Sequence, residues 1–365
     1  MTRPLLTLER RDPDAEILVV TSGWPNEDND SYCVFIKRQV ESLIDRGARC
    51  DVLFIRGYRS KLAYPLAALK LAYWSLTGRR RYRLVHAHGG EAALAAWFYR
   101  GAPLLVSYLG DDLLGTPDAH GSISTQARFR RGVFRRHSLV TVGTITKSRE
   151  MEAVLPLATR MRNTVLPNGV DTNLFRPADR ETARRKLGWE TKARIVLFAA
   201  DPAVPRKRYW LAEAAVEDAR RYLDDIQLEV ARRVAPDDMP LLMNAADCLL
   251  LTSSIEGSPN VVKEALMCNL PVIATPSGDV EELLAGVSPA HICEPSAQAL
   301  SEALVDCLRE PRRSNGRKMS QWLDAGMVAD SLLAVYRSLA SGLDLGPTPL
   351  APIGARGLGS DRPGV

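Results

Sequence analysis

Short apolar runs, each stopping at a polar or glycine-bearing turn and each followed by a helical pattern, alternate along this chain in two blocks. Ile17-Leu18-Val19-Val20-Thr21, Leu84-Val85-His86-Ala87-His88-Gly89 and Pro103 to Asp112 belong to the first block; Ala193 to Ala199, Cys248 to Leu251 and Pro271 to Thr275 belong to the second. Such an alternation leaves few folds open, because each helix returns the chain to start the next strand in parallel, and helices then cover both faces of the sheet. The first alternation lasts from Glu16 to Pro167, a connector reaches about Thr191, and the second ends near Leu308. The chain therefore reads as an α/β protein with two doubly wound parallel sheets, Rossmann-like in form. Its 365 residues, 46% hydrophobic and 25% charged, suffice for two cores of ordinary size.

Within the second block, Ile255-Glu256-Gly257-Ser258-Pro259-Asn260-Val261-Val262-Lys263-Glu264-Ala265 sets two carboxylates about the start of a helix. With Cys248 to Leu251 as a strand and Thr252-Ser253-Ser254 as a loop, Glu256 stands just before the helix and Glu264 about two turns inside it. Ser258 suits the N-cap and Pro259 the first helical position. One carboxylate over a pocket at a strand's carboxyl end, a second on the wall behind and backbone N–H groups between them make a site for a sugar, a ribose and a diphosphate. By itself the pair also fits helix capping and surface charge. A second signal is Asp201-Pro202-Ala203-Val204-Pro205-Arg206-Lys207-Arg208, which leads into the apolar helix Tyr209 to Val216. Alone it fits solvated surface; helix starts disfavour cations, however, so an anion is expected nearby.

The Glu256 to Glu264 stretch resembles the Glu-x7-Glu signature of retaining nucleotide-sugar glycosyltransferases of the GT-B fold, the glycosyl transferases group 1 family. Glu-Gly-Ser-Pro-Asn-Val-Val-Lys-Glu is similar in detail to transferases of the teichuronic-acid type. Other segments follow in that family's order. The first strand leads through the polar loop Trp24 to Ser31 into a helix from about Phe35 to Arg46, closed by Gly47. Pro167-Asn168-Gly169-Val170-Asp171-Thr172-Asn173-Leu174-Phe175-Arg176-Pro177 resembles the loop where the family's chain crosses to its second domain. Pro271 to Glu282 resembles the strand, turn and helix after the Glu motif, with Asp279 and Glu282 as a capping box. The resemblance covers about Glu16 to Arg337. It implies two Rossmann-like domains facing across a cleft: residues 1–177 on the acceptor side and 178–320 binding the nucleotide-sugar. Residues 321–343 are expected to pack back on the first domain, and 344–365, rich in Pro and Gly, to form a disordered tail.

Roles follow from the resemblance. Lys207 falls on the family's Lys, while Asp201 or Pro202 stands where relatives keep an Arg, so Arg206 or Arg208 would substitute in holding the diphosphate. Glu256, Lys207 and Arg206 form the expected catalytic group. Arg208, Gly257, Ser258, Pro259, Asn260, Val261 and Glu264 form the donor-binding group, with Glu264 accepting from the ribose hydroxyls. Asn29, Asp30, His88, Asp111 and Asp112 are expected on the acceptor side. Relatives often carry His-Gly-x-Asp where this chain has Leu109-Gly110-Asp111-Asp112; the imidazole is absent, and His88 or His86 is a candidate replacement. Ser31-Tyr32-Cys33 stands where relatives often have Gly.

The implied function is retaining transfer of a sugar from a nucleoside-diphosphate donor, UDP foremost, to a hydroxyl acceptor in polysaccharide or glycoconjugate assembly. Another GT-B reaction, such as nucleotide-sugar epimerisation, and a catalytically silent sugar-nucleotide-binding module are the alternatives. No cofactor is expected beyond the nucleotide-sugar co-substrate, and no metal. Asp28-Asn29-Asp30 has the Asp-x-Asp spelling of metal-dependent glycosyltransferases, but it occupies the first strand-to-helix loop, where acidic turn residues need no metal.

The six cysteines have no paired spacing and read as buried hydrophobes of a reducing cytosol. The first ten residues hold no apolar core for a signal peptide, and the apolar stretch Leu62 to Leu76 is too short to span a membrane. A cytoplasmic protein is expected, with contact to the inner membrane face left open. Arg59, Lys61, Lys70, Arg79, Arg80, Arg81 and Arg83, and then Arg128, Arg130, Arg131, Arg135 and Arg136 with Phe129 and Phe134 interleaved, fit either lipid headgroups and a lipid-linked acceptor or a solvated basic face. Nucleic acid is not an expected partner, since a net charge of +5 is modest for this length.

Overall fold

In the computed structural model, the described residues are 4–27, 29–116 and 122–340. Asp28, the end of the stretch 321–343 and the tail 344–365 lie outside them. The first unit runs β1 (Leu6–Glu9), β2 (Ile17–Thr21), α1 (Val34–Ile44), β3 (Cys50–Ile55), α2 (Ala63–Thr77), β4 (Leu84–His88), α3 (Gly90–Ala96), β5 (Leu104–Ser107), α4 (Asp111–Leu114), α5 (Thr125–His137), β6 (Gly143–Thr146), α6 (Arg149–Ala153), α7 (Leu157–Arg160) and β7 (Asn163–Val165). The second runs α8 (Arg180–Leu187), β8 (Arg194–Phe198), α9 (Tyr209–Ala219), β9 (Ile226–Val230), α10 (Met239–Ala245), β10 (Cys248–Leu251), α11 (Asn260–Met267), β11 (Val272–Ala274), α12 (Val280–Leu284), β12 (Ala290–Ile292), α13 (Ala297–Arg309), α14 (Gly316–Met319) and α15 (Ala325–Leu339).

The first sheet has the order β1-β3-β2-β4-β5-β6-β7 and the second β12-β11-β10-β8-β9. Every pairing is parallel except β1 with β3. The central strands β2, β3 and β4 are buried along their whole length, because helices cover both faces. One face of the first sheet packs on α2, α3 and α5 through Leu71, Ala93 and Phe134. The other packs on α1 and α15, where Val40 and Leu43 meet Leu332 and Tyr336.

The last helix therefore belongs to the core of the first unit, and the chain crosses between units twice. The crossings lie side by side: Val170 N donates to Leu323 O and Ala325 N to Val170 O, both at 2.8 Å. Gly169 is required there, since a Cβ on it would lie 2.6 Å from Ala325 Cα.

Three local readings are corrected. Helix α11 starts at Asn260 with Pro259 as its N-cap, so Glu264 is one turn inside rather than two. Pro259 keeps an extended ψ of 111°, and the Ser258 hydroxyl turns away to donate to Asp279 Oδ2 at 2.7 Å. Asp279, so engaged, makes no side-chain cap bond on α12.

Candidate active site

The loops after β8 and β10 lie side by side at the carboxyl ends of the second sheet, where ligands bind in open parallel sheets. Ser254 N donates to Arg206 O at 2.8 Å, and the Thr252 hydroxyl donates to Lys207 O at 2.7 Å. This lacing brings Lys207 Nζ to 2.5 Å and Arg206 Nη1 to 3.0 Å from the same oxygen of Glu256. Burial pushes the Glu256 carboxyl up, but the charges of Lys207 and Arg206 outweigh it and hold the group below its ordinary range. Burial depresses the Lys207 ammonium, and Glu256 opposes that shift.

Arg208 does not join them. Its Nε donates to Thr252 O at 2.6 Å and its Nη2 to Ser253 O at 2.9 Å and Thr275 Oγ1 at 3.0 Å. Its left-handed φ of 48° turns the side chain under the loop, so it braces the strand ends instead of reaching for a donor.

Past Glu256 the chain meets the first unit. A Cβ on Gly257 would lie 3.0 Å from both Gly110 Cα and Leu109 O, so backbone abuts backbone across the cleft. The first turn of α11 follows: Val262 N already donates to Pro259 O at 3.2 Å, and the N–H groups of Asn260 and Val261 precede that first bond of the helix. Glu264 is half-buried at the next turn. Its carboxyl is raised by burial and drawn back by Arg38 and Lys263. Arg38 comes from α1 of the first unit and pairs with Asp237 of the second at 3.2 Å.

The first unit's expected residues divide. Asn29 and Asp30 are exposed on the β2–α1 loop, with Asn29 Oδ1 accepting from Ser31 N at 3.1 Å, and Asp111 is exposed at the start of α4. Asp112 is buried and accepts from Leu109 N at 3.0 Å and Gly90 N at 3.2 Å, so it shapes the loop from within. Burial, then the Asp111 charge, pushes its carboxyl up to about 7. His88 is 2% exposed, 4.2 Å from the His86 ring. Burial and the nearby Lys147 charge lower it to about 3, so it is a neutral core residue and not an acceptor contact. His86 is likewise structural, held by Tyr336 Oη at 2.6 Å and Ser107 Oγ at 2.8 Å.

Two buried lysines were passed over by sequence reasoning, and one of them, Lys263, ties the units together. Lys263 Nζ donates to Asn168 O and to Ser258 Oγ, both at 3.1 Å. Lys147 Nζ reaches Leu166 O at 3.4 Å. Lys263 was legible only as a neighbour of Glu264 in the motif, and Lys147 carried no signal at all. Among the described residues no group of three or more His, Cys, Asp or Glu is placed to hold a metal ion.

Two Rossmann-like units, joined by two crossings and facing across a cleft, make the GT-B fold of nucleotide-sugar transferases. Residues 190–310, which include Lys207, Glu256 and Glu264, match the family model described as Glycosyl transferases group 1, and the second unit is a domain of that kind. Glycosyltransferase TuaC of Bacillus subtilis, assigned to teichuronic acid biosynthesis, is 27% identical over 61% of this chain; the alignment spans 60% of its own length. D-inositol 3-phosphate glycosyltransferase 1 of Catenulispora acidiphila is 28% identical over 72% of this chain and 73% of its own. Among solved structures, sucrose-phosphate synthase from Thermosynechococcus elongatus aligns with a TM-score of 0.70 at 19% identity, covering 88% of this chain and 98% of its own. Anabaena HepE in complex with UDP aligns at 0.63, also at 19% identity, over 89% and 100%.

Proposed function

We propose that this chain is a retaining glycosyltransferase that moves a sugar from a nucleoside-diphosphate donor, UDP foremost, to a hydroxyl acceptor in polysaccharide or glycoconjugate assembly, without a metal. The observation that carries the reading is the meeting of Lys207 and Arg206 on Glu256 beside the first turn of α11, with Glu264 one turn further on. In this reaction the anomeric carbon–oxygen bond to the diphosphate breaks, a bond to the acceptor oxygen forms on the same face, and the acceptor proton passes to the leaving phosphate. Negative charge grows on the diphosphate, where Lys207, Arg206 and the helix N–H groups stabilise it. Positive charge grows on the sugar ring, opposite the Glu256 carboxylate. Glu264 accepts from the ribose hydroxyls. UDP in HepE supports this donor, and the teichuronic-acid and inositol-phosphate names of the relatives support a polar or phosphate-bearing acceptor.

A thermal-shift screen against UDP, GDP, dTDP and ADP, repeated on Glu264→Ala and Lys207→Ala, tests it. The expected result is a rise in melting temperature with UDP that both variants reduce. No rise with any nucleotide at millimolar concentration overturns the reading. A rise without turnover of any donor leaves a silent nucleotide-binding module.

A further inference from the structure

Helix α2 is apolar on two faces, and only one of them is covered. Ala63, Ala67, Leu71 and Trp74 are buried against the first sheet. Leu62, Leu66, Leu69, Tyr73 and Leu76 form a second row and are 67%, 45%, 69%, 50% and 87% exposed. Steps of alternately four and three residues keep the row on one side of the helix over roughly 20 Å. Single apolar residues on a surface are ordinary, but five in line are not.

The row is set in positive charge. From Val52 to Gly90 the chain has eight Lys or Arg and no Asp or Glu. Lys61 and Lys70 lie over the rings of Tyr64 and Trp74, at 5.7 and 5.2 Å from the centroids, and Arg79 Nη1 donates to the Tyr73 hydroxyl at 3.3 Å. On the same face of the sheet, α5 adds Phe129, 72% exposed, among its five arginines. An apolar row edged by cations on stems that lie along aromatic rings complements a surface with acyl chains beneath anionic headgroups. A second copy of the chain fits less well, because seam-to-seam docking would bring two basic collars together with no carboxylate on either helix to separate them. Among the described residues no helix is long and apolar enough to cross a membrane, so the contact is interfacial.

We propose that α2 lies in the surface of a bilayer containing anionic lipid, with Leu62, Leu66, Leu69, Tyr73 and Leu76 at the acyl boundary and Lys61, Lys70 and Arg79 at the headgroup phosphates. The inference stands apart from the transferase reading, because it is tested without turnover or nucleotide. The full chain is pelleted with vesicles of phosphatidylcholine alone, or of phosphatidylcholine with an equal part of phosphatidylglycerol, at low and at physiological salt. Binding is expected to the anionic vesicles only, and to weaken with salt. Leu69→Ser with Leu76→Ser should abolish most of it. Lys61→Gln, Lys70→Gln and Arg79→Gln together should lower the partition coefficient by roughly fivefold per cation, on the order of 10²-fold in all. Both variants should melt close to the wild type, since they alter exposed side chains and, at Lys70, a half-buried one whose ammonium lies over the Trp74 ring. Failure of the wild type to bind anionic vesicles at low salt overturns the proposal, as does binding that neither variant lowers. A solution dimer that Leu69→Ser with Leu76→Ser dissociates, without vesicle binding, assigns the row to a second copy instead.

Discussion

On the proposed function, Glu256 and the donor's diphosphate compete for the same two cations, Lys207 and Arg206. Glu256→Gln keeps the side chain's size and removes its charge, so Lys207 and Arg206 lose the partner they hold at 2.5 and 3.0 Å. UDP should then bind at least as tightly by calorimetry, while kcat falls on the order of 10²-fold, because the group facing the sugar ring no longer carries charge. Lys207→Ala should do the reverse to affinity and weaken UDP roughly 10- to 100-fold, the worth of a charge-assisted contact of about 1.5–3 kcal/mol. Equal affinity in all three proteins would remove these cations from the site. Lys147 gives a pH dependence at the same scale. Burial, then the Lys263 charge, lowers its ammonium from 10.5 to about 7. Between those values the unfolded chain holds the proton that the folded chain has released, so this group's contribution to stability rises as pH rises from about 7. Lys263, lowered to about 8, adds to the same trend above that pH. Urea unfolding from pH 7 to about 9 should show a steeper gain for the wild type than for Lys147→Met, by about 1–3 kcal/mol across the window. Parallel curves for the two proteins would place the ammonium in solvent.

At the scale of the element, the turn before α12 supports Glu256 from behind. Gly278 has φ of +60°, and a Cβ there would lie 2.8 Å from Glu256 O. Gly278→Ala should cost about 1–3 kcal/mol and push the Glu256 loop toward the cleft, lowering turnover as well as melting temperature. Gly132, in α5 with open space where a Cβ would stand, is the control: Gly132→Ala should be neutral or stabilise by up to about 1 kcal/mol. The same element shows what the chain's letters disclose. Strand, loop and helix from Cys248 to Met267 are contiguous, and a fully buried parallel strand is an apolar run whatever lies beside it, so the elements, the two sheets and the Glu motif were legible. Contacts made by distant segments were not. Ser258 looked like a cap because its tie to Asp279, twenty-one residues on, has no local signature. Arg208 is indistinguishable in sequence from Arg206, and only its left-handed backbone sends it under the loop. His88 looked like a strand-end ligand, yet the packing around β4 places it in the core. The edge strand β1 was missed because Leu6–Glu9 is only four residues and half-buried throughout.

For the whole molecule the decisive feature is that α15 completes the first core after the chain has already built the second. Tyr336 holds His86 at 2.6 Å, Arg46 Nε meets Asp330 at 2.5 Å, and Val328 and Leu332 fill the space beside Val40. The units are thus bound by topology as well as by contact, and among the described residues the chain passes between them at the two crossings. Both pass Gly169, whose added Cβ would meet Ala325 Cα at 2.6 Å and Val328 Cβ at 3.2 Å. Neither neighbour is a flexible side-chain end, so the strain must be relieved by parting the crossings. Parting them loosens the hydrogen bonds of Val170 to Leu323 and Ala325, and it shifts Asn168, whose carbonyl holds Lys263 one residue from Glu264. Gly169→Ala should therefore lower the melting temperature by several °C, in line with a cost of about 1–3 kcal/mol. It should also weaken UDP binding, although residue 169 touches no expected donor contact. A matched change away from the crossing, Gly132→Ala, should do neither. If Gly169→Ala melts with the wild type and binds UDP equally well, the crossings do not set the relation of the two units, and the donor site is organised within the second unit alone.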